Sequence, residues 1–223
     1  MTRQHPAYYD FFSQPISMIA RVILLISIFA TVFAFTNPLW VMSFRSNQYP
    51  EPLMMSIHIN HLEGQKTETR DDLREINSLN HYIGMRPLLE SDFAEFTWLP
   101  FVVGAFMLLA LRVVAFGRLR DLVDIVVMYV YFGIFSAWDF YNKLYGYGHN
   151  LNPEAPIKVP GFTPPLLGEE KIANFWVRSY PAIGSYALAV FGALMALALL
   201  IAFWHGWHSY RVLKRAETSA VTA

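Results

Sequence analysis

No cysteine occurs anywhere in the 223 residues, which excludes disulfide cross-links, thiolate metal sites and haem attachment through Cys-x-x-Cys-His. Charge is scarce as well. Asp, Glu, Lys and Arg make up 15% of the chain, against about 25% in an ordinary soluble domain. Lys+Arg and Asp+Glu number 17 each, so there is no net basic surface for nucleic acid to follow. Equally missing are a glycine-rich phosphate loop ahead of a helix, a Gly-x-Ser-x-Gly elbow and a His-Glu-x-x-His pair. Nothing in the chain points to an enzyme.

Apolar residues are what it has in excess: 55% hydrophobic and 16% aromatic. They gather in four blocks close to the roughly 20 residues that a membrane-spanning helix needs. The pattern predicts an all-α membrane protein, one membrane domain over residues 1–223, with transmembrane helices at about 18–40, 98–116, 122–141 and 182–204. The first block exceeds the roughly 7–15 apolar residues of a signal-peptide core, and "NPLW" lacks a small-x-small cleavage pattern, so it reads as a retained helix. The middles of all four blocks are free of charge, which disfavours a proton-coupled pump or a permease. Asp139 and Lys143 have i, i+4 spacing and are expected to pair. Ala189, Gly192, Ala193 and Ala196 are expected to form a close-packing face on the fourth helix.

Positive charge near the helix ends sets orientation. Arg3, Arg21, Arg112, Arg118, Arg120, Arg211, Lys214 and Arg215 fall on one side if both termini are cytoplasmic. Two long loops, about 41–97 and 142–181, then lie outside the cytoplasm, in the periplasm of a bacterial inner membrane. The first carries nine Asp/Glu against five Lys/Arg, which long loops tolerate on either side. Trp40, Trp98, Trp138, Tyr141 and Trp176 mark the outer interface, Trp204 and Trp207 the inner one. The pair His205 and His208 reads as anchoring at that inner interface.

Within the first loop, Leu53, Met55, Ile57 and Ile59 alternate with Met54, Ser56, His58 and Asn60, the period of a short strand. That reading sets His58 and His61 on opposite faces. Further on, Leu73, Ile76, Leu79 and Ile83 recur at helical spacing, with Thr69 and Asp72 as start signals and Gly84 as the stop. His81 and Met85 fall off this apolar stripe, beside Asn77. The second loop, with five prolines and four glycines between Asn142 and Glu170, predicts extended chain without a helix, lying across the first loop and holding His149 near the membrane face.

The candidate chemistry is therefore a metal site outside the bilayer, built from His81, Met85, His149, His58 and His61. Imidazole with thioether suits copper, the thioethers favouring Cu(I), and suits zinc less well. The strings "NPLW", "IHINHLEG", "INSLNHYIGM" and "YGHNLNPEAPIKVPGFTPPLLG" resemble a family of small four-helix bacterial membrane proteins. That family is associated with gene neighbourhoods for copper-enzyme maturation, notably of nitrous-oxide reductase and terminal oxidases. The resemblance implies an accessory protein that binds or delivers copper while a respiratory enzyme is assembled, with the lipid bilayer and other membrane or periplasmic subunits as partners. The other expectation is a structural subunit of a membrane complex with no metal of its own.

Overall fold

The computed structural model describes residues 11–172 and 174–221. Arg3, and the side chains of Lys214 and Arg215, lie outside what is described. Among the described residues, four helices are long and apolar enough to cross a membrane: Met18–Thr36, Glu95–Phe116, Leu119–His149 and Ile183–His208. Their outward residues are large and apolar, Phe29, Phe101 and Trp204 among them, as the lipid-facing surface of a multi-pass membrane protein must be.

The expectation of an all-α protein is wrong, because the loops fold into a five-stranded antiparallel sheet. In chain order the elements are α1 (Met18–Thr31), α2 (Phe33–Thr36), β1 (Trp40–Arg45), β2 (Leu53–Ile57), β3 (Leu62–Gly64), α3 (Asp72–Tyr82), α4 (Glu95–Phe116), α5 (Leu119–His149), β4 (Gly168–Ile172), β5 (Phe175–Pro181) and α6 (Ile183–Val221). The sheet order is β3-β2-β1-β5-β4. Three strands from the first loop and two from the second thus join edge to edge, through β1 and β5, in one mixed α/β structure, and the second loop does lie against the first.

The first helix stops at Thr36 rather than running on to Trp40. Pro38 disfavours helical backbone in the residue before it, and Asn37 is extended, at φ −130° and ψ 155°. The apolar run continues as β1. The expected absence of helix after Asn142 also fails, since α5 continues to His149. The prolines begin only at Pro153, and the glycines at 146 and 148 cost about 1 kcal/mol each in a helix. Gly148 has a specific use: a Cβ there would collide with the carbonyl oxygen of Phe162, where the returning loop crosses the helix. Phe162 N–H donates to the Gly148 carbonyl at 3.1 Å.

The chain divides into two compact units. Of the described residues, one holds 11–31, 103–132 and 188–221. Its interior is lined by Leu24, Phe106, Leu122, Phe191 and Met195. Tyr129 stacks edge-on against Phe106 and Phe191 and donates to the Leu188 carbonyl at 2.7 Å. On α6 the buried stripe is Phe191, Met195, Ala198 and Ala202. Ala189, Ala193 and Ala196 of the expected packing face point outward, and Gly192 meets the Tyr129 ring.

The other unit holds 32–102 and 133–187, and contains the sheet. The registers Met42↔Met55 and Phe44↔Leu53 put these four side chains on one face, with Val177 beside Phe44. They form its core together with Ile76 of α3 and Leu144 of α5. Arg45, Trp176, Arg178 and Tyr180 lie on the exposed face. An apolar cavity of about 100 Å³ lies between the inner sheet face, α3 and the end of α5. Lys143 forms its salt bridge with Glu95 of α4 at 3.1 Å, not with Asp139. Asp139 instead shares a hydrogen bond with Glu95.

Candidate functional site

The strand reading of Leu53 to Ile57 holds, but β2 ends there and the next four residues turn. His58 N–H donates to the His61 carbonyl at 2.9 Å, closing a tight turn. Ile59 and Leu62 are buried, at 2% and 6% exposure, and they pin the turn to the unit's interior. Leu62 N–H is taken up by the Glu90 carboxylate at 3.1 Å. At the β2 end, Met54 N–H donates at 2.8 Å to Asp72, a fully buried carboxylate that also holds Arg70 at 2.6 Å. The turn is therefore fastened at both strands.

This geometry overturns the expectation that His58 and His61 face apart, because period-two alternation applies only while the strand continues. Their rings stack at 4.3 Å between centroids and 8° between planes. Glu63, the second residue of β3, reaches back so that its Oε2 lies 3.2 Å from His58 Nε2. The donor atoms of His58, His61 and Glu63 all lie within 4.8 Å of one another. Among the described residues this is the group of three or more His and carboxylate side chains near enough to share one ion.

The electrostatics favour a ligand role. Burial pushes the His58 imidazolium below its ordinary value, and a charge on His61 pushes the same way, against the pull of Glu63. His58 therefore sheds its proton more readily than a free imidazole and offers a lone pair near neutral pH. The His58 side chain is 14% exposed, whereas Glu63 is 61% exposed, so one face of the group is open to incoming ions.

A metal lies in the plane of each imidazole that binds it, at about 2.0–2.1 Å for zinc. Two parallel planes share no such point, so one ring must turn to bind. His61 is the ring placed to do so: among the described residues its Nδ1 meets the neighbouring Asn60 Oδ1 alone, at 2.8 Å. His58 Nε2 already faces Glu63, and an ion there would replace the proton between them. Two imidazoles and one carboxylate leave a fourth position open, a donor set suited to Zn²⁺ or Cu²⁺.

The other expected ligands have different neighbours. His81 is exposed on α3, with Tyr82 as its ring neighbour at 6.3 Å. Met85 lies beyond the helix end, where its N–H donates to the Asn80 carbonyl and its side chain lines the apolar cavity. Gly84 does end the helix, at φ +79°. The start, however, is capped by Asp71, which accepts from Arg74 N–H, rather than by Thr69 or Asp72. His149 is exposed at the end of α5, stacked on Tyr145 at 3.8 Å, with Nδ1 3.1 Å from the Tyr145 carbonyl. So the structure gathers His58 and His61, adds Glu63, and leaves His81, Met85 and His149 apart in their contacts. Compared with protein-family models, with curated proteins and with solved structures, the chain matches none.

Proposed function

We propose that this chain is an integral membrane accessory protein whose sheet-bearing unit faces the periplasm of a bacterial inner membrane and binds a transition metal at His58, His61 and Glu63. Its role is to bind or hand over copper during assembly of a respiratory copper enzyme. One observation carries the metal reading: three donor side chains converge on a turn held at both strands, with His58 disposed to be neutral. Copper, in preference to zinc, is supported by the sequence resemblance and by the higher affinity of Cu²⁺ over Zn²⁺ for a given set of nitrogen and oxygen donors. His81 and His149 are exposed imidazoles on the same unit and serve as weaker entry ligands.

The test is metal titration of the full-length protein in detergent micelles, with Cu(II), Cu(I) and Zn(II) in separate arms. Wild-type protein binds one Cu(II) per chain, and His58→Ala or His61→Ala weakens it by at least about a hundredfold, the loss expected when a metal ligand goes. His81→Ala and His149→Ala change it less than about threefold. Equal affinity in wild-type and His58→Ala protein would sink the site. Uptake of Zn(II) with indifference to copper would keep the site and overturn the copper role. Orientation is testable separately, because a chain without cysteine accepts single-cysteine labelling. Cysteine at exposed Glu154 should react with a membrane-impermeant maleimide in intact cells, and cysteine at exposed Arg120 should not.

A further inference from the structure

An open polar cleft of about 450 Å³ lies at one end of the sheet, lined by Arg45, Ser46, Asn47, Lys171, Asn174 and Trp176, and also by Glu169. The strand registers explain how it arises. Arg45 of β1 stands opposite Trp176 of β5, and Lys171 of β4 stands opposite the same tryptophan from the other side. Paired residues share a face of the sheet, so one row across three strands reads Arg45, Trp176, Lys171. The two cations are two strand spacings apart, about 10 Å. Two turns close this end of the sheet. One follows β1, where Tyr49 N–H donates to the Ser46 carbonyl at 3.2 Å, and the other joins β4 to β5 and holds Asn174.

The adjoining row shows what these strands do with a cation that needs only a partner. There Arg178 stands opposite Glu169, and its Nε donates to that carboxylate at 2.8 Å. Among the described residues neither Arg45 nor Lys171 has a salt bridge. Nor do their head groups cover the indole: the cation–ring contacts of the described residues are those of Arg86, Lys143 and Arg211. Trp176 is 47% exposed, so an aromatic side chain lies open between two positive charges. With Glu169 neutralised by Arg178, those two charges have no counterpart in the cleft, and the exposed amides of Asn47 and Asn174 stand beside them.

The complementary ligand concentrates two negative charges in one small group and carries a flat body. A phosphate monoester of an aromatic alcohol does both, with about −1.5 to −2 charge at pH 7 and three strong acceptor oxygens on the phosphate. An arginine fork matches two of those oxygens at once, and lysine supplies a point charge. The ring of the ester packs on the indole. A carboxylate, with one charge, leaves one cation unmatched.

We propose that this cleft binds the phosphate group of a monoester between Arg45 and Lys171, with the body of the ester on the Trp176 ring. Trp176 precedes Pro181, the last residue of β5, by five positions, about 17 Å of strand, and α6 begins just beyond. A soluble ester reaches the row in any orientation of that strand. A lipid phosphate reaches it only where the strand lies along the bilayer surface, and separate arms of the test tell the two sources apart. The inference is independent of the metal site, since it uses none of His58, His61 or Glu63.

The experiment titrates full-length protein, in micelles of an uncharged detergent, with phenyl phosphate and with inorganic phosphate, followed by calorimetry. A second arm adds short-chain phosphatidic acid and counts bound lipid by native mass spectrometry, with phosphatidylcholine as the control. Wild-type protein binds phenyl phosphate at about 1 mM or tighter. Arg45→Gln and Lys171→Gln each weaken binding about five- to tenfold, the equivalent of one exposed charge-assisted contact. Trp176→Leu weakens phenyl phosphate about three- to tenfold and leaves inorganic phosphate within about twofold, because only the ester has a ring to stack. Lys158→Gln removes an exposed cation elsewhere on the same unit and changes nothing. Selective uptake of phosphatidic acid that is lost in Arg45→Gln supports the site and names lipid as its source. Binding in neither arm overturns the proposal. So does affinity unchanged by both glutamine variants, or weakened equally by Lys158→Gln, which would mark general surface charge. The substituted side chains are exposed, and an unchanged thermal midpoint checks that each variant is folded. If Trp176→Leu is not, the glutamine variants decide alone.

Discussion

Replacing Asp72 with alanine should loosen the candidate metal turn from a distance. The Asp72 carboxylate is 0% exposed and the Arg70 side chain 17% exposed. Two charge-assisted hydrogen bonds end on it, from Met54 N–H at 2.8 Å and Arg70 Nε at 2.6 Å. Each such bond contributes about 1.5–3 kcal/mol. Removing one partner of a buried ion pair costs about 3–5 kcal/mol, because the other charge is left without compensation. Here the loss is aggravated, since Arg70 Nη2 is already buried without a hydrogen-bond partner among the described residues. Taking about 4 kcal/mol, the opening equilibrium of β2 should rise by roughly a thousandfold. Hydrogen exchange of the full-length protein in micelles reads this directly, in peptides spanning residues 53–64. Asp72→Asn retains an acceptor for Met54 and should cost less, about 1–2 kcal/mol. Arg70→Leu/Asp72→Leu removes both charges and should cost less than Asp72→Ala alone. If Asp72→Ala leaves β2 exchange within about threefold of wild type, the reasoning is refuted, and strand pairing alone holds the turn.

Acid should destabilise the sheet unit through His58. Its folded-state proton affinity lies below the ordinary value, which is near 6.5. The folded state therefore binds fewer protons than the unfolded chain at mildly acidic pH. The His58 contribution to stability is complete above about 6.5 and is lost as pH falls below it. Thermal midpoints between pH 7.5 and 5 should fall more steeply in wild type than in His58→Gln, and equal slopes would contradict the assignment. Gly148→Ala should displace the returning loop, since the new Cβ meets the Phe162 carbonyl. A cost of about 1–3 kcal/mol and faster proteolysis within residues 150–167 are expected, and wild-type resistance would show that the loop relaxes freely.

How much of this was legible in the residues depends on whether the signal was local. Four apolar runs of membrane-spanning length need no partner to be recognised, and the amphipathic stripe Leu73, Ile76, Leu79, Ile83 with its Gly84 stop likewise announced α3. The sheet was hidden for different reasons in different strands. β1 begins inside what reads as one apolar run, and only the steric effect of Pro38 on Asn37 separates helix from strand. β5 has a legible alternation, with Val177 and Ser179 buried against Trp176, Arg178 and Tyr180 exposed. That alternation was obscured because Trp176 also fits an interfacial anchor. Most of all, β1 is flanked by β2 and β5, whose residues stand over a hundred positions apart in the chain. No local window contains that pairing.

The site shows the same division with a sharper consequence. His58 and His61 are three apart, a spacing that means opposite faces in a strand and one face in a turn. The decision rests on where β2 ends. It ends at Ile57 because Ile59 is needed in the interior while Leu62 opens the next strand, and four residues suffice to reverse the chain between them. Reversal then brings Glu63 across to His58, since β3 runs antiparallel to β2 with Ser56 opposite Glu63. A reader of the sequence who places the turn at 58–61 obtains Glu63 as the third donor from register alone. The expected imidazole–thioether pair, His81 and Met85, has different surroundings: His81 is exposed on α3 and Met85 lines the apolar cavity. Gly84 ends the helix before Met85, so the i, i+4 neighbourhood that would align them does not extend to it, and the methionine turns to the apolar cavity. The donors that the fold does bring together, at the turn, are nitrogen and carboxylate, and the Met85 side chain lines the apolar cavity.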